Sequence, residues 1–204
     1  MNRYPTVFVS FRQVEGLDFA GAYDMLTVVI ANLFNKHIYL LDSKKATEFQ
    51  KKSFRQLLSA NASVKEVKSS IELLMNMLYD YYDKPVILLI DEYDVLLDKA
   101  FQYGYYDQMV SLLRVMFGNA LKTNPSLYFA VLTGCLRISK ESIFTGLNNF
   151  KIFPITKVAF DEYFGFTDKE VKEMLAYYDL EEHYETMKEW YNGYRFGKTD
   201  VYCP

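Results

Sequence analysis

The stretch "VILLIDEYD" (residues 86–94) joins five consecutive apolar residues to a group of three acidic ones. An apolar run without polar alternation is typical of a strand in a parallel sheet that is covered on both faces. Asp91 and Glu92 follow the run directly, and Pro85 precedes it. The stretch therefore predicts a central, buried strand whose carboxyl end carries acidic side chains.

Three other segments have the composition of strands. Residues 6–11 (TVFVSF) are mostly β-branched or aromatic, and residues 127–132 (LYFAVL) are apolar almost throughout. Residues 151–156 (KIFPIT) are a weaker candidate, in which Pro154 favours an edge position because proline cannot donate a ladder hydrogen bond. We therefore expect up to four strands.

Helical periodicity separates the first three of these strands. Apolar residues recur at helical spacing over residues 17–41, 63–82 and 109–120, and residues 46–60 predict a short polar helix. Two capping boxes are predicted, Ser63 with Glu66 and Thr167 with Glu170. Strands that alternate with amphipathic helices predict an α/β domain with a mainly parallel sheet.

The pattern after about residue 160 is helical. One helix is predicted to begin at Thr167 and another to cover residues 181–191. We therefore expect two domains, an α/β core over residues 1–159 and a small helical subdomain over residues 160–204.

Composition excludes several classes of protein. The 204 residues carry a net charge of −3, which gives no overall electrostatic attraction for nucleic acid or anionic lipid. Cys135 and Cys203 are too few for a disulfide scaffold or a zinc site, and there is no apolar run of 18 residues that could span a membrane. These features predict a cytoplasmic protein without direct nucleic-acid binding.

The acids after residue 90 could have specific chemical roles. Ligands of open α/β sheets bind outside the carboxyl ends of the strands. Asp91 could hold Mg²⁺ through water, Glu92 could orient or deprotonate a water that attacks a γ-phosphate, and Asp94 could contact the nucleotide. The alternative is that acids at this place only favour a loop or a helix N-terminus.

The strand over residues 127–132 also ends in polar residues. The Thr133 hydroxyl, beside the acidic strand, could contact the attacking water or the γ-phosphate, and Gly134 permits a tight turn. Arg137 and Lys140 could offer positive groups to phosphate. The alternative is a polar turn with solvated cations.

A phosphate-binding loop of the form G-x-x-x-x-G-K-[ST] has one approximate match, at residues 193–199. This match has three residues between its glycines instead of four, and neither an apolar strand before it nor a helix after it is predicted. A phosphate cradle needs backbone N–H groups at a helix N-terminus. We therefore interpret the match as fortuitous.

Five longer motifs lie at residues 4–11 (YPTVFVSF), 85–94 (PVILLIDEYD), 132–149, 164–171 (FGFTDKEV) and 190–197 (WYNGYRFG). In this order they resemble the AAA-ATPase-like family of prokaryotic proteins, whose members often carry a PD-(D/E)XK nuclease-like domain further along the chain. The resemblance implies that Asp91 and Glu92 are Walker B acids, that Thr133 lies on the sensor strand, and that ATP and Mg²⁺ are the cofactors. It also assigns residues 193–197 to the family's WY-x-GY-x-FG motif.

The resemblance implies a three-layer P-loop NTPase-like fold with strand order 5-1-4-3-2 and a helical lid. The strand and loop of the Walker A motif are expected before residue 6, so the chain is expected to be cut at both ends. Strands 2, 3 and 4 should then lie side by side, next to a gap left by strand 1. Unpaired apolar strand edges favour aggregation, and we expect a marginally stable chain.

Two functional hypotheses follow. In the first, the longer parent protein uses ATP binding and hydrolysis as a conformational switch, and this chain by itself is inactive because it lacks Walker A. In the second, a degenerate ATPase fold serves as a non-enzymatic protein-interaction module. Nuclease catalysis is disfavoured because no E-x-K pattern follows Asp91 on a neighbouring strand.

Overall fold

The computed structural model describes residues 3–135, 143–144 and 150–203. The chain divides into two compact units, Met1–Asn148 and Asn149–Pro204, and each is described by itself. Within the described ranges there are seven α-helices and six strands, and none of these helices is long and apolar enough to cross a membrane.

A parallel sheet of three strands forms the centre of the first unit. The strands are β1 (Thr6–Ser10), β2 (Val86–Asp91) and β3 (Leu127–Leu132), in the order β1-β2-β3. Both neighbours of β2 run parallel to it. The position of the acidic strand between the other two is therefore as predicted.

Five helices complete this unit: α1 (Phe19–Asn35), α2 (Glu48–Leu58), α3 (Val64–Tyr82), α4 (Val95–Gln102) and α5 (Tyr106–Leu121). The predicted capping box of Ser63 and Glu66 begins α3. The first helix ends at Asn35, and a 3₁₀ segment over Ile38–Asp42 follows it, so the predicted helix to residue 41 was too long. Periodicity did not predict α4, which has only eight residues.

The core lies on one face of the sheet. Val7, Leu88 and Ile90 point into it with at most 1% of their surface exposed, and α3 and α5 cover them with residues such as Leu74 and Phe117. Burial along β2 alternates between buried and half-buried residues. Coverage on both faces, predicted from the apolar run, is therefore wrong for the described residues.

The second face of the sheet carries apolar side chains that remain accessible. The strand register brings Phe8, Leu89 and Val131 into one row, and it pairs Ile87 with Phe129. Phe8 is 50% exposed, Phe129 57% and Val131 38%. Among the described residues this unit thus consists of one sheet and one helix layer, and the expected three-layer arrangement is not seen.

The second unit contains a small antiparallel sheet beside two helices. Its elements are β4 (Phe166–Thr167), α6 (Asp168–Tyr177), α7 (Tyr184–Tyr191), β5 (Tyr194–Phe196) and β6 (Thr199–Tyr202), with a 3₁₀ turn over Glu181–His183 before α7. The strand order is β4-β6-β5. The predicted capping box of Thr167 and Glu170 begins α6.

Two predictions for this unit are wrong. Residues 151–156 form no strand, because Pro154 interrupts a segment that has no strand partner among the described residues. The unit is also not purely helical, since β5 and β6 form a hairpin. Gly197 turns this hairpin at a φ of +54°, a conformation that glycine adopts without steric cost.

Asp168 connects three elements of the second unit. Its Oδ1 accepts hydrogen bonds from Tyr184 on α7 (2.6 Å) and Tyr202 on β6 (2.9 Å), and its Oδ2 lies 2.7 Å from Lys172 Nζ. The bonds from Lys172 and then Tyr184 lower the pKa of Asp168 from 3.8 to about 2. The charged carboxylate therefore helps to hold α6, α7 and β6 together.

The lowered pKa of Asp168 predicts a pH-dependent contribution to the stability of the second unit. The unfolded chain binds the proton more readily, so the contribution is complete above about pH 4 and is lost as the pH falls towards 2. An Asp168→Asn variant should unfold at lower urea concentration than the parent at pH 6, and this difference should shrink between pH 4 and 2. Fluorescence of Trp190, the single tryptophan, on α7, measures the transition.

Glu173→Gln is the matched control, because Glu173 forms only a surface ion pair with Lys169 at 3.7 Å. A difference between Asp168→Asn and the parent that stays constant from pH 6 to pH 2 would contradict this assignment.

The accessible face of the parallel sheet predicts self-association. Large exposed apolar patches promote contacts between molecules, so Phe129→Ser should lower the associated fraction in sedimentation velocity. Phe101→Ser is the control, because Phe101 is 74% exposed but lies on α4, outside this face. Equal effects of the two substitutions would show that the face has no special role.

Candidate functional site

The carboxyl ends of β2 and β3 bring two predicted site residues into contact. The Thr133 amide donates to the carbonyl of Ile90 (2.9 Å), and the Tyr93 amide donates to the carbonyl of Thr133 (3.2 Å). These backbone bonds hold the Thr133 side chain beside β2, where its hydroxyl donates to Asp91 Oδ1 at 2.5 Å. One oxygen of the Asp91 carboxylate is thus fixed, and the bond leaves the other for a ligand.

Glu92 has an unusual backbone conformation. Its φ is +53°, in the left-handed region, which costs a residue with a long side chain roughly 1 kcal/mol or more. The Glu92 carbonyl accepts from the Val95 amide at 3.3 Å, which contributes to the turn into α4. Such strain persists only where the surroundings enforce it, and it is common at functional sites.

The Glu92 side chain is also incompletely satisfied. Its Oε2 atom is buried and has no hydrogen-bond partner among the described residues. Leaving a buried carboxylate oxygen without a donor is costly, and such groups in folded proteins usually meet water, an ion or a ligand. The Glu92 carboxylate therefore has the geometry of a group whose hydrogen bonding is completed by a bound water, ion or ligand.

Asp94, which is buried, and Tyr93, which is half-buried, form the wall of this turn. Asp94 is 3% exposed, and its carbonyl accepts from the amides of Leu97 and Asp98 at the beginning of α4. The Tyr93 ring packs edge to face on Phe144 with 5.4 Å between centroids. Burial, and then the nearby Asp94 carboxylate, raise the pKa of the Tyr93 hydroxyl. The sequence analysis did not predict a role for Tyr93 or Phe144, because their contact depends on the fold.

Gly134 packs closely against the same wall. A methyl group at Gly134 would overlap Asp94 Oδ1, and it would lie 2.8 Å from Asp94 Cγ and 3.1 Å from the Tyr93 ring. The glycine therefore permits the chain after β3 to approach Asp94, which is a stronger requirement than the tight turn predicted from sequence.

The predicted cations of the site cannot be placed. Arg137 and Lys140 lie outside the described residues. Asp91, Glu92, Asp94 and Thr133 are therefore the predicted site residues that the structure brings to one edge of the sheet.

The candidate phosphate loop at residues 193–199 forms the β5–β6 hairpin, and no helix follows it in the described chain. The Lys198 amide donates to Asp161 Oδ2 at 3.0 Å, so a carboxylate of the protein already occupies the place of an anion at this turn. In the part of the chain that the structure describes, the hairpin lacks the helix N-terminus that a phosphate loop requires, which agrees with the interpretation of this match as fortuitous.

A second glycine pair, which sequence reasoning missed, spans the beginning of α1. Gly16 and Gly21 have the four-residue spacing of a phosphate loop, but Ala22 stands where the lysine is required. The Asp18 side chain accepts from the Gly21 amide at 2.8 Å, so the N-terminus of α1 is capped by a carboxylate. The described residues therefore include no phosphate cradle at either glycine pair.

The residues of the β2 edge fit a water-bridged divalent cation better than a cation held by protein alone. No three His, Cys, Asp or Glu side chains converge to form a metal site in the described parts of the chain. Mg²⁺, however, keeps several waters and is often held through one or two carboxylates and the phosphates of its substrate. Asp91, with one oxygen fixed by Thr133, matches that requirement.

The close approach at Gly134 predicts the effect of adding a methyl group. Gly134→Ala should destabilise the first unit by about 1–3 kcal/mol, because the new atom overlaps the buried Asp94 side chain. Gly118→Ala is the control: Gly118 lies in α5 with no atom within 4 Å of the added Cβ, and helix propensity favours alanine by about 0.5–1 kcal/mol. Urea unfolding followed by circular dichroism compares the two, and equal stability of both variants would contradict the packing at Gly134.

Comparison with known proteins gives two matches. A family model described as "Predicted AAA-ATPase" matches residues 1–144. A protein of Azotobacter chroococcum mcd 1, described as an uncharacterized protein in the vnfD 5′ region, is 28% identical over 120 residues, which are 58% of this chain and 23% of that protein. The chain thus spans less than a quarter of this relative's length. No solved structure matches the chain.

The family match covers the parallel sheet, the acids at the end of β2, and Thr133. It extends over more than half of the sequence and agrees with the motifs that resemble this family. The chain belongs to the AAA-ATPase-like family.

Proposed function

We propose that the chain supplies the acidic catalytic edge of an ATP-hydrolysing domain with a P-loop NTPase-like fold. The observation that carries this proposal is the pairing of Asp91 with Thr133, together with the buried Oε2 of the next residue, Glu92, which has no hydrogen-bond partner within residues 3–135, 143–144 and 150–203. These groups lie at the carboxyl edge of a parallel sheet, where ligands of α/β proteins bind. Family membership supports the same reaction class.

Asp91 is proposed to hold Mg²⁺ through water. The hydroxyl of Thr133 fixes the orientation of its carboxylate, so the oxygen not used by this bond keeps a constant position. Bound Mg²⁺ supplies charge neutralisation at the phosphates of ATP. Asp91 ends a central strand that pairs with a strand on each side, and this pairing keeps the carboxylate rigid.

Glu92 is proposed to act on the attacking water. It would accept the proton that this water loses as its oxygen bonds to the γ-phosphorus, while the bond from that phosphorus to the oxygen of the departing ADP breaks. The strained backbone and the buried Oε2 support this role, because they hold a proton acceptor that no donor in the described part of the chain satisfies.

The remaining predicted residues complete the proposal. Thr133 is also proposed to contact the same water, and Asp94, Arg137 and Lys140 are proposed nucleotide contacts. ATP hydrolysis in the cytoplasm would switch the conformation of the whole protein. A nuclease-like domain is proposed to lie next to this domain in that protein. Because the described residues include no phosphate cradle, the 204-residue chain by itself is expected to bind Mg-ATP more weakly than about 1 mM.

The test uses the whole protein that contains this chain, with phosphate release and calorimetry as the measurements. Glu92→Gln should lower kcat at least about 100-fold while Mg-ATP still binds, because only the proton acceptor is lost. Asp91→Asn should weaken Mg-ATP binding about tenfold or more. Asp98→Asn is the control, because Asp98 lies four residues beyond Asp94 and its carboxylate accepts from Gln102 on the surface of α4. Unchanged hydrolysis in Glu92→Gln would exclude the proposed role of this residue.

A non-enzymatic interaction module is the second candidate, and the accessible apolar face around Phe8, Phe129 and Val131 favours it. Parallel sheets are usually covered on both faces, so this face is expected to be covered by other residues. A whole protein that binds no Mg-ATP at millimolar concentration would favour this candidate over hydrolysis.

A further inference from the structure

Ser10 lies next to Asp91 on the side opposite to Thr133. It ends β1 and pairs with Asp91 in the parallel register, and the Phe11 amide donates to the Asp91 carbonyl at 3.0 Å, so pairing extends beyond Ser10. Adjacent strands are about 4.8 Å apart, and paired residues of a parallel sheet point to the same face. Ser10, Asp91 and Thr133 thus form one row across three strands, with the carboxylate in the middle.

This row lies on the accessible face of the sheet. It is two residues beyond the row of Phe8, Leu89 and Val131, and side chains two residues apart on a strand share a face. Ser10 is half-buried, as are Asp91 and Thr133. The row is therefore the polar margin of an otherwise apolar surface, at the edge where ligands of α/β sheets bind.

The chemistry of Ser10 complements that of Thr133. Thr133 donates its hydroxyl proton to Asp91 Oδ1. Ser10 Oγ accepts weakly from the Arg12 amide at 3.4 Å, which leaves its hydroxyl proton for donation and a lone pair for a further bond. Serine is also a poorer strand residue than its β-branched and aromatic neighbours in "TVFVSF", so strand packing alone gives no reason for it.

We propose that Ser10 is a positioning residue that holds a water of the hydrated divalent cation bound through Asp91. The inference rests on the proposed function and adds a residue of β1 to a site that otherwise consists of residues from β2 and β3 and the turns after them. Ser10 and Thr133 then act from opposite sides: Thr133 orients the carboxylate, and Ser10 orients the water between the carboxylate and the cation.

The test measures cation binding and does not depend on turnover. Mn²⁺ replaces Mg²⁺, and water-proton relaxation reports its binding to the whole protein in the presence of ATP. Ser10→Ala should raise the Kd of Mn²⁺ about fivefold to tenfold, as expected for the loss of one hydrogen bond. Ser10→Thr, which keeps the hydroxyl and suits a strand, should stay within about twofold of the parent. Binding of ATP in EDTA should be the same in all three proteins.

Two controls separate this inference from the proposed function. Ser69→Ala removes a hydroxyl that bonds only within α3 and should change nothing. Asp91→Asn should weaken Mn²⁺ binding about tenfold or more, as expected for Mg-ATP. If Asp91→Asn loses Mn²⁺ and Ser10→Ala binds it like the parent, the role of Ser10 is wrong while the proposed function stands.

Two further outcomes also decide the question. Equal loss of Mn²⁺ by Ser10→Ala and Ser10→Thr would mean that the side chain matters for its shape and not for its hydroxyl, which overturns the inference. No Mn²⁺ binding by the parent with ATP, or unchanged binding by Asp91→Asn, would overturn both the inference and the function on which it rests.

Discussion

The pairing of β2 with strands on both sides is the constraint on which the first unit depends. Val86, Leu88 and Ile90 are buried against the helices, which fixes the register of the strand because a slip by one residue would exchange its two faces. The same register puts Asp91 between Ser10 and Thr133. Hydrophobic burial along β2 thus determines the position of the carboxylate at its end.

Local strain and close packing are concentrated where β2 ends. Glu92 adopts a left-handed backbone, Gly134 approaches the Asp94 side chain, and the Tyr93 ring packs on Phe144. Tyr93 and Phe144 pack against the hydrophobic core, whereas the buried Glu92 Oε2 costs stability. The well-packed sheet and helices provide the free energy that maintains this arrangement, which is the usual relation between a rigid scaffold and a site.

The second unit is held together differently. Among its described residues, the buried apolar cluster consists of Val171, Leu175 and Tyr202, with Tyr184 and Met187 packed beside it. A small core contributes little to the free energy of folding. The hydrogen bonds to Asp168 and the short β4-β6-β5 sheet therefore contribute a larger share of the stability of this unit. Many aromatic side chains of this unit are exposed, including Tyr163, Tyr177 and Trp190.

Much of the fold was predictable from sequence because local physics determined it. The apolar runs specified β1, β2 and β3, and side-chain spacing specified the capping boxes at Ser63 and Thr167. Because they directly follow apolar runs, the acids at the end of β2 and the hydroxyl of Thr133 were also predicted as candidate site groups. Short elements such as α4 and the β5–β6 hairpin were missed, because periodicity is weak over so few residues.

The sequence by itself thus determined the family, the three parallel strands and the identity of the acids at the β2 edge. The tertiary structure decided which face of the sheet is buried, which oxygen of Asp91 is bonded, and that Ser10 shares a row with it. The physical reason is that these features depend on the pairing of segments that are about 40 to 80 residues apart, and the unbroken apolar run of residues 86–90 does not itself show which of its two faces is buried.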